Sequence, residues 1–169
     1  MGSSLVSHWE ARYAVSVWHT DDIIAFFAAN TSARKAMLKE FELIINCAVV
    51  KTGMFTRAIA YESVRINTVL PRLLAESANN DRCFLIHFST DLYALNDWEN
   101  GYSVEKTFGD IFLKGTNSII FRGAFFGLHA KAEGFLNYVK LGYQGATLSG
   151  YVNVFSQAIH IDGLIQNIE

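Results

Sequence analysis

Apolar and polar positions along the chain recur mainly at helical spacing. Leu5, Trp9, Tyr13 and Val17 repeat every fourth residue, the stripe of an amphipathic helix. Thr20-Asp21-Asp22 supply a cap for a second helix over 23–29, and Asn30-Thr31-Ser32 cap the chain again. Met37, Leu38, Phe41, Ile44, Ile45 and Ala48 mark one face of the next stretch and Arg34, Lys35, Lys39, Glu40 and Glu42 fill the rest, which predicts a helix ending near Gly53. The pattern continues through Phe55, Ile59, Val64, Leu70, Leu73 and Leu74, with Pro71 starting a fresh turn or kinking the helix. After a polar turn at 77–81, Phe84, Leu85, Phe88, Leu92 and Leu95 predict another helix. Val104, Phe108, Ile111 and Phe112 form the inward face of one opened by Ser103 and ended by Gly115.

Residues 118–130 differ. Ile119, Ile120, Phe121, Ala124, Phe125, Phe126 and Leu128 cover nearly the whole circumference of a helix, and a helix apolar all round is a buried one. Arg122 and Lys131 interrupt the run, so it is too short to span a bilayer. Helices around 135–141 and 151–159, a glycine-rich stretch at 142–150 and a short end segment at 164–168 follow. The expectation is an all-α fold, a globular bundle of about eight helices around a buried central helix. Residues 1–169 make a single domain in this reading, with 1–30 as extra amino-terminal helices.

Composition agrees with helices: 51% of residues are hydrophobic and there is one proline. A net charge of -2 gives no basic field, so neither nucleic acid nor anionic lipid is an expected partner. Residues 141–161 lack charged side chains, but Gly142, Gln144, Gly145, Gly150, Asn153, Gln157 and His160 make them too polar for a transmembrane anchor. No signal peptide is evident, and Val6 breaks the myristoylation pattern. A reducing, cytoplasmic setting fits Cys47 and Cys83 as small buried hydrophobes.

Candidate chemistry is sparse. Histidines at 8, 19, 87, 129 and 160 show no HxxH or HExxH spacing and the cysteines no CxxC partner, so no metal site is expected. Residues 142–150 contain neither GK[ST] nor GxGxxG, which leaves no cofactor implied. His129 reads as a hydrogen-bonded core residue, and Asp21 and Asp22 as capping charges. Trp9, Trp18 and Trp98 with the phenylalanines could line a ligand cavity, but aromatic residues at helical spacing are more often core. No catalytic residue stands out, and an enzyme is the weaker class.

The join of 104–117 to 118–130 is the most specific feature. Phe112, Gly115 and Asn117 stand in the register of a Phe-x-x-Gly-x-Asn turn, followed by Phe125-Phe126. This resembles the first homology region of the Bcl-2 family, and most of all its virus-encoded, divergent members. Where the family has Trp-Gly-Arg after that Asn, this chain has Ser118-Ile119-Ile120, with Arg122 about one turn late. The resemblance implies a non-enzymatic, anti-apoptotic protein that binds BH3 helices of pro-apoptotic partners in a hydrophobic groove. It implies the cytoplasm or the mitochondrial surface of a host cell as location, and leaves room for a homodimer. Phe84, Phe88, Leu92, Phe108, Ile111 and Phe112 would line the groove and Phe125 floor it. Asn117 would cap the central helix and Arg122 pair with an acidic residue of the guest. The alternatives are an all-α structural or assembly protein, such as a viral shell component, and a helical enzyme or small-ligand carrier.

Overall fold

The computed structural model describes residues 2–50, 57–78, 82–90, 101–126 and 158–168. In chain order the elements are α1 (Gly2–Trp9), α2 (Thr20–Ala28), α3 (Thr31–Leu38), β1 (Leu43–Asn46), α4 (Arg57–Val64), a π-helical turn (Arg65–Val69), α5 (Leu70–Ala78), β2 (Phe84–Ser89), α6 (Gly101–Phe112), β3 (Ser118–Arg122), β4 (Ala124–Phe126), β5 (Ala158–His160) and α7 (Ile161–Ile168). They fall into two compact units, residues 14–122 and residues 1–13 with 123–169. The larger contains a parallel sheet in the order β1-β2-β3. The smaller contains α1, the parallel pair β4-β5, and α7 with Leu164 and Ile165 buried.

This corrects the all-α expectation. Leu43-Ile-Ile-Asn46, Phe84-Leu-Ile-His-Phe-Ser89 and Ser118-Ile-Ile-Phe-Arg122 are short apolar runs rich in β-branched and aromatic residues. A strand covered on both faces gives the same unbroken apolar run as a buried helix, and parallel sheets are built from such strands. The supposed central helix is therefore not a helix: 118–122 is β3, 124–126 is β4, and 127–130 lie outside the described residues. Nor is it enclosed, since Ile119 is 48% exposed on β3.

Register fixes what each sheet face presents. Asn46 pairs with His87, His87 with Ile120, and Ser89 with Arg122. Side chains alternate between faces along a strand, so one face carries Ile44, Leu85 and Ser118 at one level, Asn46, His87 and Ile120 at the next, and Ser89 and Arg122 toward the carboxyl ends. The apolar half belongs to the core with Phe26, Leu38, Leu70, Leu74, Cys83 and Leu113. The polar half lies under α6.

Helices α4 and α5 are joined through the π turn, where Leu70 N–H donates to the Arg65 carbonyl, five residues back. Pro71 has no N–H to offer the Asn67 carbonyl, and the widened turn accommodates that loss. Helix α6 crosses here at Gly109, where a Cβ would lie 2.5 Å from the Asn67 carbonyl oxygen. The close approach sets α6 against the sheet face and brings its polar residues onto the strand ends.

Candidate functional site

The site is built on α6. Tyr102, Lys106 and Asp110 follow one another at four-residue spacing, so they share one side of the helix. Lys106 and Asp110 both reach β2, the first 1% exposed and the second buried, while Tyr102 is half-buried. The Lys106 ammonium donates to the Phe88 carbonyl at 2.5 Å, and its Nζ lies 3.4 Å from His87 Nε2. Burial depresses the lysine to about 8, partly opposed by the Asp110 carboxylate.

Beneath it is a buried polar cluster. Asp110 Oδ2 accepts from Ser89 Oγ at 2.9 Å and from Arg122 Nε at 2.8 Å. Asp110 Oδ1 is buried without a hydrogen bond and lies 3.7 Å from His87 Nε2. His87 Nδ1 meets Asn46 Nδ2 at 3.1 Å. Asn46 Oδ1 accepts from Ala48 N–H, which fixes the amide so that its nitrogen donates and His87 Nδ1 accepts. The ring proton of neutral His87 therefore sits on Nε2. Burial first, then the charges of Lys106 and Arg122, push His87 down to about 3, so the ring stays neutral.

A second network anchors the same helix. Glu105 Oε2 accepts from Ser63 Oγ and, at 2.9 Å, from Asn67 Nδ2. Asn67 also accepts from Val50 N–H and donates to the Val50 carbonyl, tying the segment after β1 to the π turn. Beside this tie is a cleft of about 240 Å³ lined by Thr20, Ile23, Phe27, Val49, Glu62, Arg65 and Ile66. The Arg65 guanidinium lies 4.3 Å from the Phe27 ring centre.

The residues expected to form a groove are scattered. Phe84 begins β2; Phe88 is buried within it and packs on Phe121 at 5.7 Å. Phe108, Ile111 and Phe112 lie on the exposed side of α6, with Arg72 over the Phe112 ring. Asn117 does not cap a helix; its amide donates to the Cys83 carbonyl, clipping the start of β2. Arg122 is joined to buried Asp110 rather than turned to a guest helix. Phe125 falls in β4, and Leu92 lies outside the described residues. Sequence reasoning missed Asn46, Ser89, Tyr102, Lys106 and Asp110 and treated His87 only as a non-ligand. The available signal was the four-residue spacing Tyr102-x-x-x-Lys106-x-x-x-Asp110 within α6, and polar residues ending each apolar run. Among the described residues, no His, Cys, Asp and Glu cluster could hold a metal and no helix is long and apolar enough to cross a membrane.

A parallel sheet with crossover helices and a polar cluster at its carboxyl edge defines an α/β protein of Rossmann-like type. Solved structures share this fold. A dTDP-4-dehydrorhamnose reductase from Bacillus anthracis str. Ames, in complex with NADP, is similar with a TM-score of 0.64 and 20% identity, over 85% of this chain and 56% of that one. The corresponding ortholog from Clostridium acetobutylicum gives 0.62, 20%, 85% and 56%. The Bordetella bronchiseptica enzyme WbmG, in complex with NAD and UDP, gives 0.68 and 13% over 99% of this chain and 63% of its own. The chain thus spans less than two thirds of the length of these neighbours. No family model and no curated protein matches the sequence. The likeness overturns the Bcl-2 resemblance and, with it, the anti-apoptotic role, the BH3-helix partners and the viral shell alternative. It corrects the non-enzyme expectation as well, since the neighbours are enzymes and two are described with a bound dinucleotide.

Proposed function

We propose that the chain provides the carbonyl-reducing centre of an NAD(P)-dependent oxidoreductase acting on a nucleotide-linked keto sugar. The observation that carries this is Lys106, held on the Phe88 carbonyl toward the carboxyl end of β2 in a parallel sheet, with Tyr102 one turn before it on α6. That end is where open α/β sheets take their ligands. The named neighbours, two of them dTDP-4-dehydrorhamnose reductases, support the substrate class.

Reducing a ketone requires a hydride at carbon and a proton at oxygen, and the dinucleotide supplies the hydride when bound. The proton falls to the protein. Tyr102 is the donor: a phenol is otherwise a weak acid, and an ammonium on the same helix face stabilises the phenolate left behind. Lys106 is that ammonium, held by the Phe88 carbonyl. Thr90, buried directly after β2, is the hydroxyl we assign to the carbonyl oxygen. The cleft by Phe27, Val49 and Ile66 suits a flat adenine ring. The sequence contains no Gly-x-Gly-x-x-Gly, so no residue here is assigned to the pyrophosphate.

The test is dinucleotide oxidation by the purified chain with dTDP-4-keto sugars. Tyr102→Phe and Lys106→Met should each lower turnover by about 10²–10⁴-fold while the circular dichroism spectrum is retained. Turnover of Tyr102→Phe within a few-fold of wild type would remove the proton donor, and absence of turnover by the wild type with keto sugars would remove the reading.

A further inference from the structure

Lys106 and Asp110 are four residues apart on α6, the spacing at which opposite charges normally pair directly. Here they do not. Lys106 donates to the Phe88 carbonyl, and Asp110 is joined to Ser89 and Arg122. His87 reaches both, with Nε2 3.4 Å from Lys106 Nζ and 3.7 Å from Asp110 Oδ1. With its Nδ1 occupied by the Asn46 amide, the ring presents Nε2–H toward these two groups. A protonated nitrogen cannot accept from an ammonium, so His87 is not the lysine's partner. Its proton suits Asp110 Oδ1, the buried oxygen that carries no hydrogen bond.

We infer that His87 is a positioning residue, a neutral wedge that keeps the Lys106 head group on the Phe88 carbonyl and out of an ion pair with Asp110. The charged and titratable groups facing Lys106 are Asp110 on its own helix, His87 on β2, Arg122 on β3 and Cys47 after β1. Burial holds the Cys47 thiol up at about 11, so it is neutral. Arg122 repels the lysine. Glu105 is engaged by Ser63 and Asn67. Asp110 is thus the anion, among the described residues, that would capture Lys106 if the ring were gone. Capture would draw the ammonium off the Phe88 carbonyl and stabilise its charged form.

The consequence for catalysis rests on the oxidoreductase reading, but the test is made on the free chain without substrate or dinucleotide. Lysine side-chain NMR, with the resonance assigned through Lys106→Met, follows the titration of Lys106. His87→Ala should raise its midpoint by about 1–3 pH units, and adding Asp110→Asn should return it. His87→Gln and His87→Phe fill the space and should leave the midpoint near that of the wild type; they also keep the test open if the alanine variant does not fold. An unchanged midpoint in folded His87→Ala, a rise that survives Asp110→Asn, or a rise equally large in His87→Phe would overturn the wedge. Failure of the chain to reduce any keto sugar would defeat the proposed function and leave this titration to be decided separately.

Discussion

Lys106 and His87 are two bases that, once folded, hold their protons less tightly than in an unfolded chain. His87 ordinarily titrates at 6.5 and is pushed to about 3; Lys106 falls from 10.5 to about 8. In both windows the unfolded chain binds more protons than the folded one, so stability rises with pH. For His87 stability is lost as pH falls from 6.5 toward 3, at up to about 1.4 kcal/mol per pH unit. For Lys106 stability is gained as pH climbs from 8 to 10.5, because the buried ammonium is relieved of its charge. Urea unfolding of wild type and His87→Gln at pH 6.5 and 4 isolates the first effect. The wild type should lose about 2–3 kcal/mol more than the variant over that interval; parallel losses would show that His87 is not held neutral by the fold.

At the scale of elements, polar punctuation was legible and the buried strands were not. Asn30 does cap α3, its Oδ1 accepting from Ala33 N–H, and Asp22 completes the cap of α2 by accepting from His19 N–H. Such signals are local. Whether Leu43-Ile44-Ile45 continues α3 or starts a strand is decided by β2 alongside, which is 41 residues away at the Asn46–His87 pair. The site suffered likewise, since each strand contributes only one or two of its polar residues and Tyr102, Lys106 and Asp110 acquire meaning only opposite them. Pro71 was legible as a disturbance, but the Asn67 carbonyl that faces Gly109 beside it was not. That contact gives a prediction. Alanine favours a helix over glycine by about 1 kcal/mol, yet at 109 its methyl would meet the Asn67 carbonyl oxygen at 2.5 Å. Gly109→Ala should therefore cost about 1–3 kcal/mol net in chemical denaturation and lower turnover by displacing α6. Gly115, at φ +78 with open space around it, is a useful contrast. Gly115→Ala pays only the backbone cost of about 1–2 kcal/mol and should leave turnover nearly intact.

For the molecule as a whole, the sheet face under α5 and α6 runs from greasy to polar along the strands, so one surface both closes the core and opens the site. The cleft proposed for adenine is lined by the segment that follows β1, Ala48 to Val50, and Val50 is tied to Asn67. A dinucleotide joins two such places through a pyrophosphate. In this sequence no Gly-x-Gly-x-x-Gly offers the turn and helix start that usually hold it. The base should then supply most of the grip. Calorimetry of the 169-residue chain should give NAD and adenosine affinities within about tenfold of each other, roughly 1.4 kcal/mol. Val49 is an exposed part of the cleft wall, so Val49→Trp should fill the cleft without disturbing the core and weaken both ligands together. If NAD binds a hundredfold more tightly than adenosine, other residues of this chain hold the phosphates. If Val49→Trp leaves both affinities unchanged, the base is bound elsewhere and the assignment of the cleft is wrong.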